Sequence, residues 1–133
     1  MRIIRIDQGG KMVKFVADSS CDVSRIEGVT FETVPLLLYT DEREFNDDGS
    51  IDIEDLLTTM EKYKGHSHTA CPGTEAWIKT FEGADEIYVV TITSGLSGTY
   101  NSAVLARDMY LQNHPDTRIA VFDSLSTGPE MLM

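Results

Sequence analysis

Apolar positions along the chain fall into short continuous runs separated by helical spacings. Val13-Lys14-Phe15-Val16-Ala17 is a short apolar run closed by Asp18-Ser19-Ser20-Cys21-Asp22, which predicts a strand and then a loop. Thr30 to Tyr39 predicts a second extended region, broken or placed at an edge by Pro35, which cannot donate to a ladder. Asp41 to Asp55 is acidic and carries a turn at Asn46-Asp47-Asp48-Gly49. Ile53, Leu56, Leu57 and Met60 are spaced as one face of an amphipathic helix, with Asp52 as its N-cap and Gly65 as its end. Pro72 suits the first turn of another helix, with Thr74, Trp77, Ile78 and Phe81 on one face and Gly83 at its close. Glu86 to Ile92 is apolar nearly throughout, the pattern of a central parallel strand covered on both faces. A helix from Thr99 to Asn113 has Tyr100, Ala103, Val104, Ala106, Tyr110 and Leu111 on its core face, and Pro115 marks its end. Leu105 and Met109 sit on its other side. Arg118 to Phe122 predicts a last strand, followed by the polar segment Asp123–Gly128.

Strands alternating with helices of ten or more residues predict an α/β fold, a largely parallel sheet with helices on both faces. The 133 residues have room for one domain with a real core. Met1 to Lys11 has two arginines and no apolar stretch of the secretory kind. It is expected to be a leader or expression extension, and residues 12–133 the folded domain. A formal charge of −11 argues against nucleic acid and against an anionic membrane surface, and no apolar run is long enough to span a bilayer. Cys21 and Cys71 are too few and too far apart for a disulfide framework, and no metal-ligand spacing appears. They read as reduced thiols of a cytoplasmic protein.

The segment Thr93-Ser94-Gly95-Leu96-Ser97-Gly98-Thr99 lies between a strand and a helix. It concentrates hydroxyls and unpaired backbone N–H groups at the positive end of a helix dipole, which suits a carboxylate or a phosphate. Asp18–Asp22 and Asp123–Gly128 also follow strands, and His66–Cys71 reads as a fourth polar loop between two helices. In an open parallel sheet such loops gather at the carboxyl edge, where ligands bind. They would equally be polar in any α/β protein, because they cap helices.

Sharper motifs do not fit. A phosphate-binding P-loop needs Lys-Ser or Lys-Thr after its last glycine, and here Gly98 is followed by Thr99-Tyr100. The hydrolase nucleophile elbow needs Gly-x-Ser-x-Gly, and Gly95-Leu96-Ser97-Gly98 is one residue short. His66, His68 and His114 have no spacing that makes one of them a base for a serine. Glu44 to Asp55 imitates a calcium loop, but its first ligand is Glu, its last is Asp, and a strand precedes it. A solvated acidic turn is the better description, and no metal, cofactor or catalytic residue is expected.

Asp18-Ser19-Ser20-Cys21-Asp22, Val34-Pro35-Leu36, His68-Thr69-Ala70-Cys71-Pro72-Gly73, Thr93 through Ala103, and Asp123-Ser124-Leu125-Ser126-Thr127-Gly128 occur in an order that resembles the DegV family of bacterial lipid-binding proteins. The resemblance implies a two-domain fold holding a buried long-chain fatty acid, whose carboxylate is bound by hydroxyls. It also implies a partner, the kinase subunit of fatty acid kinase, which converts the presented acid to an acyl phosphate for phospholipid synthesis. Carried over, Thr69 and Ser97 would be carboxylate donors, with Ser94 beside Ser97 and the Gly98 N–H nearby. The family's threonine loop usually reads Thr-Ser-Gln-Pro-Ser, where this chain has Thr69-Ala70-Cys71-Pro72-Gly73. The chain also stops at Met133, so it is expected to be an N-terminal domain truncated before the second domain, leaving an apolar patch open to homodimerisation, with Leu105 and Met109 as its candidates. Two alternatives stand beside this: a dihydroxyacetone-kinase-like phosphotransfer enzyme, and a non-catalytic interaction domain whose serine loops only cap helices.

Overall fold

In the computed structural model, which describes residues 11–23, 25–63, 65, 68–95 and 97–132, the apolar runs become parallel strands. The elements follow in the order β1 (Val13–Asp18), β2 (Phe31–Val34), β3 (Leu37–Tyr39), β4 (Glu44–Asn46), α1 (Ile53–Lys62), β5 (His68–Ala70), α2 (Thr74–Phe81), β6 (Glu86–Thr91), α3 (Thr99–Asn113) and β7 (Arg118–Asp123), with 3-10 turns at Ser19–Cys21 and Gly128–Leu132. A parallel sheet has the order β2-β1-β6-β7, and a smaller antiparallel sheet the order β4-β3-β5. Pro35 lies between β2 and β3, so the break it imposes is where the chain leaves one sheet for the other.

The core shows why the sheet selects these helices. Val16, Val34, Ile87 and Val89 pack with Trp77 and Phe81 of α2 and with Ala103, Ala106 and Tyr110 of α3, so both helices lie on one face. Ala103 and Ala106 are fully buried and add little bulk, which lets α3 approach closely. The Phe81 and Tyr110 rings meet edge-on at 5.6 Å, and the Tyr110 hydroxyl donates to the Phe81 carbonyl. On the other face Ala17 joins Cys21 and Met131, the last from the Gly128–Leu132 turn. Phe15 and Tyr88 stack there at 5.4 Å. Lys14 sits inside an apolar run yet is buried. Its Nζ donates to the Thr80 carbonyl at 2.7 Å and lies 3.5 Å from Glu32, so a cation meets the last turn of α2, where the dipole favours it.

Several local expectations are corrected. Helix α1 ends at Lys62, not at Gly65: Tyr63 turns extended, and its hydroxyl donates to Asp41 at 2.6 Å. Gly65 has a different use, since a Cβ there would lie 2.6 Å from the Tyr63 hydroxyl oxygen. Pro72 precedes α2 rather than entering it, and Gly73 is the N-cap. Residues 68–70 are a strand and not a loop, because Thr69 pairs with Leu38 of β3. The apolar face of α1 buries no residue, and Ile53 and Leu57 stand exposed. Leu56 and Met60 of that face are half-buried, and Arg43 beside β4 adds a polar tie, donating to Asp55 at 2.6 and 2.8 Å and to the Thr59 hydroxyl at 2.9 Å.

Candidate functional site

Strands β1, β6 and β7 are parallel neighbours, so the segments after them emerge side by side. Asp18 ends β1 fully buried. One of its oxygens accepts from the Ser20 amide at 3.0 Å and from the Ser20 hydroxyl, while the other accepts from the Ile92 amide at 2.6 Å. A single carboxylate thus shapes the first turn and ties it to the end of β6. Ser19 accepts from the Leu36 amide at 2.9 Å, which draws in the segment after Pro35. Across the sheet, the Thr93 amide donates to the Ser126 carbonyl at 3.0 Å. Asp123 accepts from the amides of Ser94 at 3.2 Å and Leu125 at 3.0 Å. Its bonds with Ser94, and then with Leu125, hold the Asp123 carboxyl below the usual carboxylate range.

The four candidate carboxylate donors occupy two elements. Ser94, Ser97 and Gly98 share the β6–α3 turn. Ser94 is exposed at its tip. Ser97 is half-buried, with its Oγ accepting from the Thr99 amide at 3.2 Å and lying 2.7 Å from the Thr99 hydroxyl. Gly98 is the N-cap of α3, supplies no side-chain cap, and is followed by a first turn free of acidic residues. The positive end of α3 is therefore not answered by a carboxylate of its own first turn. Thr69 lies on β5 of the smaller sheet, exposed. The segment just after it reaches α3: the Ser102 hydroxyl donates to the Pro72 carbonyl at 2.6 Å, and a Cβ on Gly98 would lie 3.7 Å from the Cys71 Sγ. Sequence reasoning did not single out Asp18, Asp123 or Ser102 as structural ties. Asp18 and Asp123 each carried a signal, as an acid at a strand end before a serine, and each accepts from the amide two residues on; Ser102 carried none.

The other polar groups are engaged elsewhere. His114 lies at the far end of α3, stacked on Tyr110 at 4.0 Å, with Nδ1 3.1 Å from the Tyr110 carbonyl. His66 and the side chain of His68 lie outside the described residues. In the acidic segment Asp48 accepts from Ser50, Asp52 caps α1, and Asp55 pairs with Arg43. Among the described residues no group of His, Cys, Asp and Glu is placed to hold a metal ion. Among them, too, no helix is long and apolar enough to cross a membrane.

Fold and site together define an α/β domain with a hydroxyl- and amide-rich rim at the carboxyl ends of its parallel strands. A family model described as an uncharacterised protein of the DegV family matches residues 12–131, and the chain belongs to the DegV family. It is 44% identical over 122 residues to a DegV domain-containing protein of Streptococcus pneumoniae, covering 89% of this chain and 43% of that protein. Among solved structures, a DegV family protein of Eubacterium eligens loaded with heptadecanoic acid is 53% identical, with a TM-score of 0.87 over 90% of this chain and 44% of that one. The fatty acid kinase B3 protein of Streptococcus pneumoniae, loaded with linoleic acid, is 44% identical, with a TM-score of 0.84 over 88% of this chain and 43% of that one. The chain spans less than half the length of the relatives it matches.

Proposed function

We propose that this chain binds a long-chain fatty acid and holds its carboxylate at the rim formed by Thr69, Ser97, Ser94 and Gly98. In this reading it presents that carboxylate, in the cytoplasm, to a separate kinase subunit that transfers a phosphoryl group to a carboxylate oxygen, and it supplies no catalytic group of its own. The observation that carries the reading is the structure 53% identical to this chain and loaded with heptadecanoic acid. The site chemistry supports it. Hydroxyl and amide donors suit a carboxylate, and hydrogen bonds to a charged group contribute about 1.5–3 kcal/mol each. An apolar tail adds about 0.8 kcal/mol per buried CH₂, so the headgroup orients a ligand whose affinity comes mainly from its chain.

The test is lipid extraction and mass spectrometry of the protein purified from bacteria, followed by titration with oleate. A co-purified fatty acid, with Thr69→Ala and Ser97→Ala each weakening oleate binding about tenfold, is the expected result. Protein that carries no fatty acid and takes up none on titration would overturn the reading. Wild-type affinity in both variants would displace the carboxylate from this rim.

A further inference from the structure

Ser102 is the fourth residue of α3, and its amide makes the ordinary helical bond to the Gly98 carbonyl at 3.0 Å. Serine in a helix tends to bond back to its own preceding turn. Here the hydroxyl leaves the helix and donates to the carbonyl of Pro72, thirty positions away in sequence, at 2.6 Å. Pro72 is buried and has a fixed φ, so a bond to its carbonyl fixes the direction of the chain on both sides. On one side Gly73 starts α2. On the other Cys71 lies against Gly98, and Ala70 and Thr69 follow in a strand of only three residues.

We propose that Ser102 is a positioning residue: its bond to the Pro72 carbonyl sets the Thr69–Pro72 segment against the amino end of α3, and so sets the Thr69 hydroxyl relative to Ser97 and Gly98. The consequence for the ligand rests on the fatty-acid reading above; the placement of the segment does not. Cys71 is exposed at the contact and reports on it, while buried Cys21 reports on the integrity of the whole fold.

Ser102→Ala and Ser102→Thr, made in the whole chain, are alkylated with iodoacetamide and followed residue by residue by mass spectrometry. The same proteins are titrated with the fluorescent fatty acid cis-parinaric acid. Ser102→Ala is expected to shift the Cys71 alkylation rate several-fold with Cys21 unchanged, because the thiol leaves its place against the amino end of α3, and to weaken parinarate binding about tenfold. Ser102→Thr, which keeps the hydroxyl, restores both. If Cys21 also becomes reactive in Ser102→Ala, Ser102→Val, which keeps the shape of the threonine variant without its donor, replaces it for the alkylation measurement, and Cys71 alone should change its rate. An unchanged Cys71 rate in the variant that keeps Cys21 protected, or a threonine variant that behaves as the alanine one, overturns the proposal. Wild-type protein that ignores parinarate defeats the fatty-acid reading, and the Cys71 rates still decide the role of Ser102.

Discussion

Asp18 shows how much one buried side chain can organise. It is fully buried, and it joins a turn to a neighbouring strand through three hydrogen bonds. Asp18→Ala leaves the amides of Ser20 and Ile92 without their acceptor. The expected cost is about 2–4 kcal/mol, read as a lower urea midpoint at unchanged slope. Asp123 offers a pH test. Its folded value lies below the ordinary one because Ser94 and Leu125 bond the ionised form. The stability it contributes is present above the unfolded value, about 3.9, and is lost as the pH falls through the lower folded value. Asp123→Asn should remove that acid-side fall, as measured by urea unfolding between pH 2 and 5. The two cysteines should also separate. Burial pushes the Cys21 thiol up, so at neutral pH a thiol reagent should label Cys71 and spare Cys21. At this scale the sequence was readable only where chemistry is local. The acid-serine-serine run after β1 announces a turn, but nothing near Ser102 announces Pro72.

Elements were legible in proportion to their length. The three longest strands and α3 follow from runs and spacings that extend over several residues. Strands β4 and β5, of three residues each, are too short to show alternation, and β5 exists because β3 offers it an edge. That is why Thr69 reads as a loop residue and proves to be a strand residue. Helix α1 is the instructive case. Its apolar spacing is clear, yet only Leu56 and Met60 of that face are half-buried while Ile53 and Leu57 remain exposed, and Arg43 ties the helix to the segment before β4. Arg43→Ala should speed hydrogen exchange throughout α1 several-fold while leaving the β1 and β6 amides protected. Asp52, by contrast, is a cap the sequence shows directly: its Oδ1 accepts from the amides of Glu54 and Asp55. Asp52→Ala should cost about 1 kcal/mol of helix stability, visible as the same local increase in exchange.

For the whole molecule, the apolar pattern led to a parallel α/β sheet because β6 is apolar on both faces and is flanked by helices. It did not tell that α2 and α3 share one face, since handedness and order are set by contacts between distant segments. Trp77, fully buried where both helices meet the sheet, is the test of that shared layer. Trp77→Ala should cost about 3–5 kcal/mol and lower the melting temperature of the whole sheet at once. The order β2-β1-β6-β7 has one more effect, on the timing of synthesis. A nascent chain that has made β1 finds β2 soon afterwards, but its second neighbour is translated only after the small sheet, α1 and α2. Until β6 emerges from the ribosome, one flank of β1 stands bare, and this is the interval in which a chaperone has something to hold.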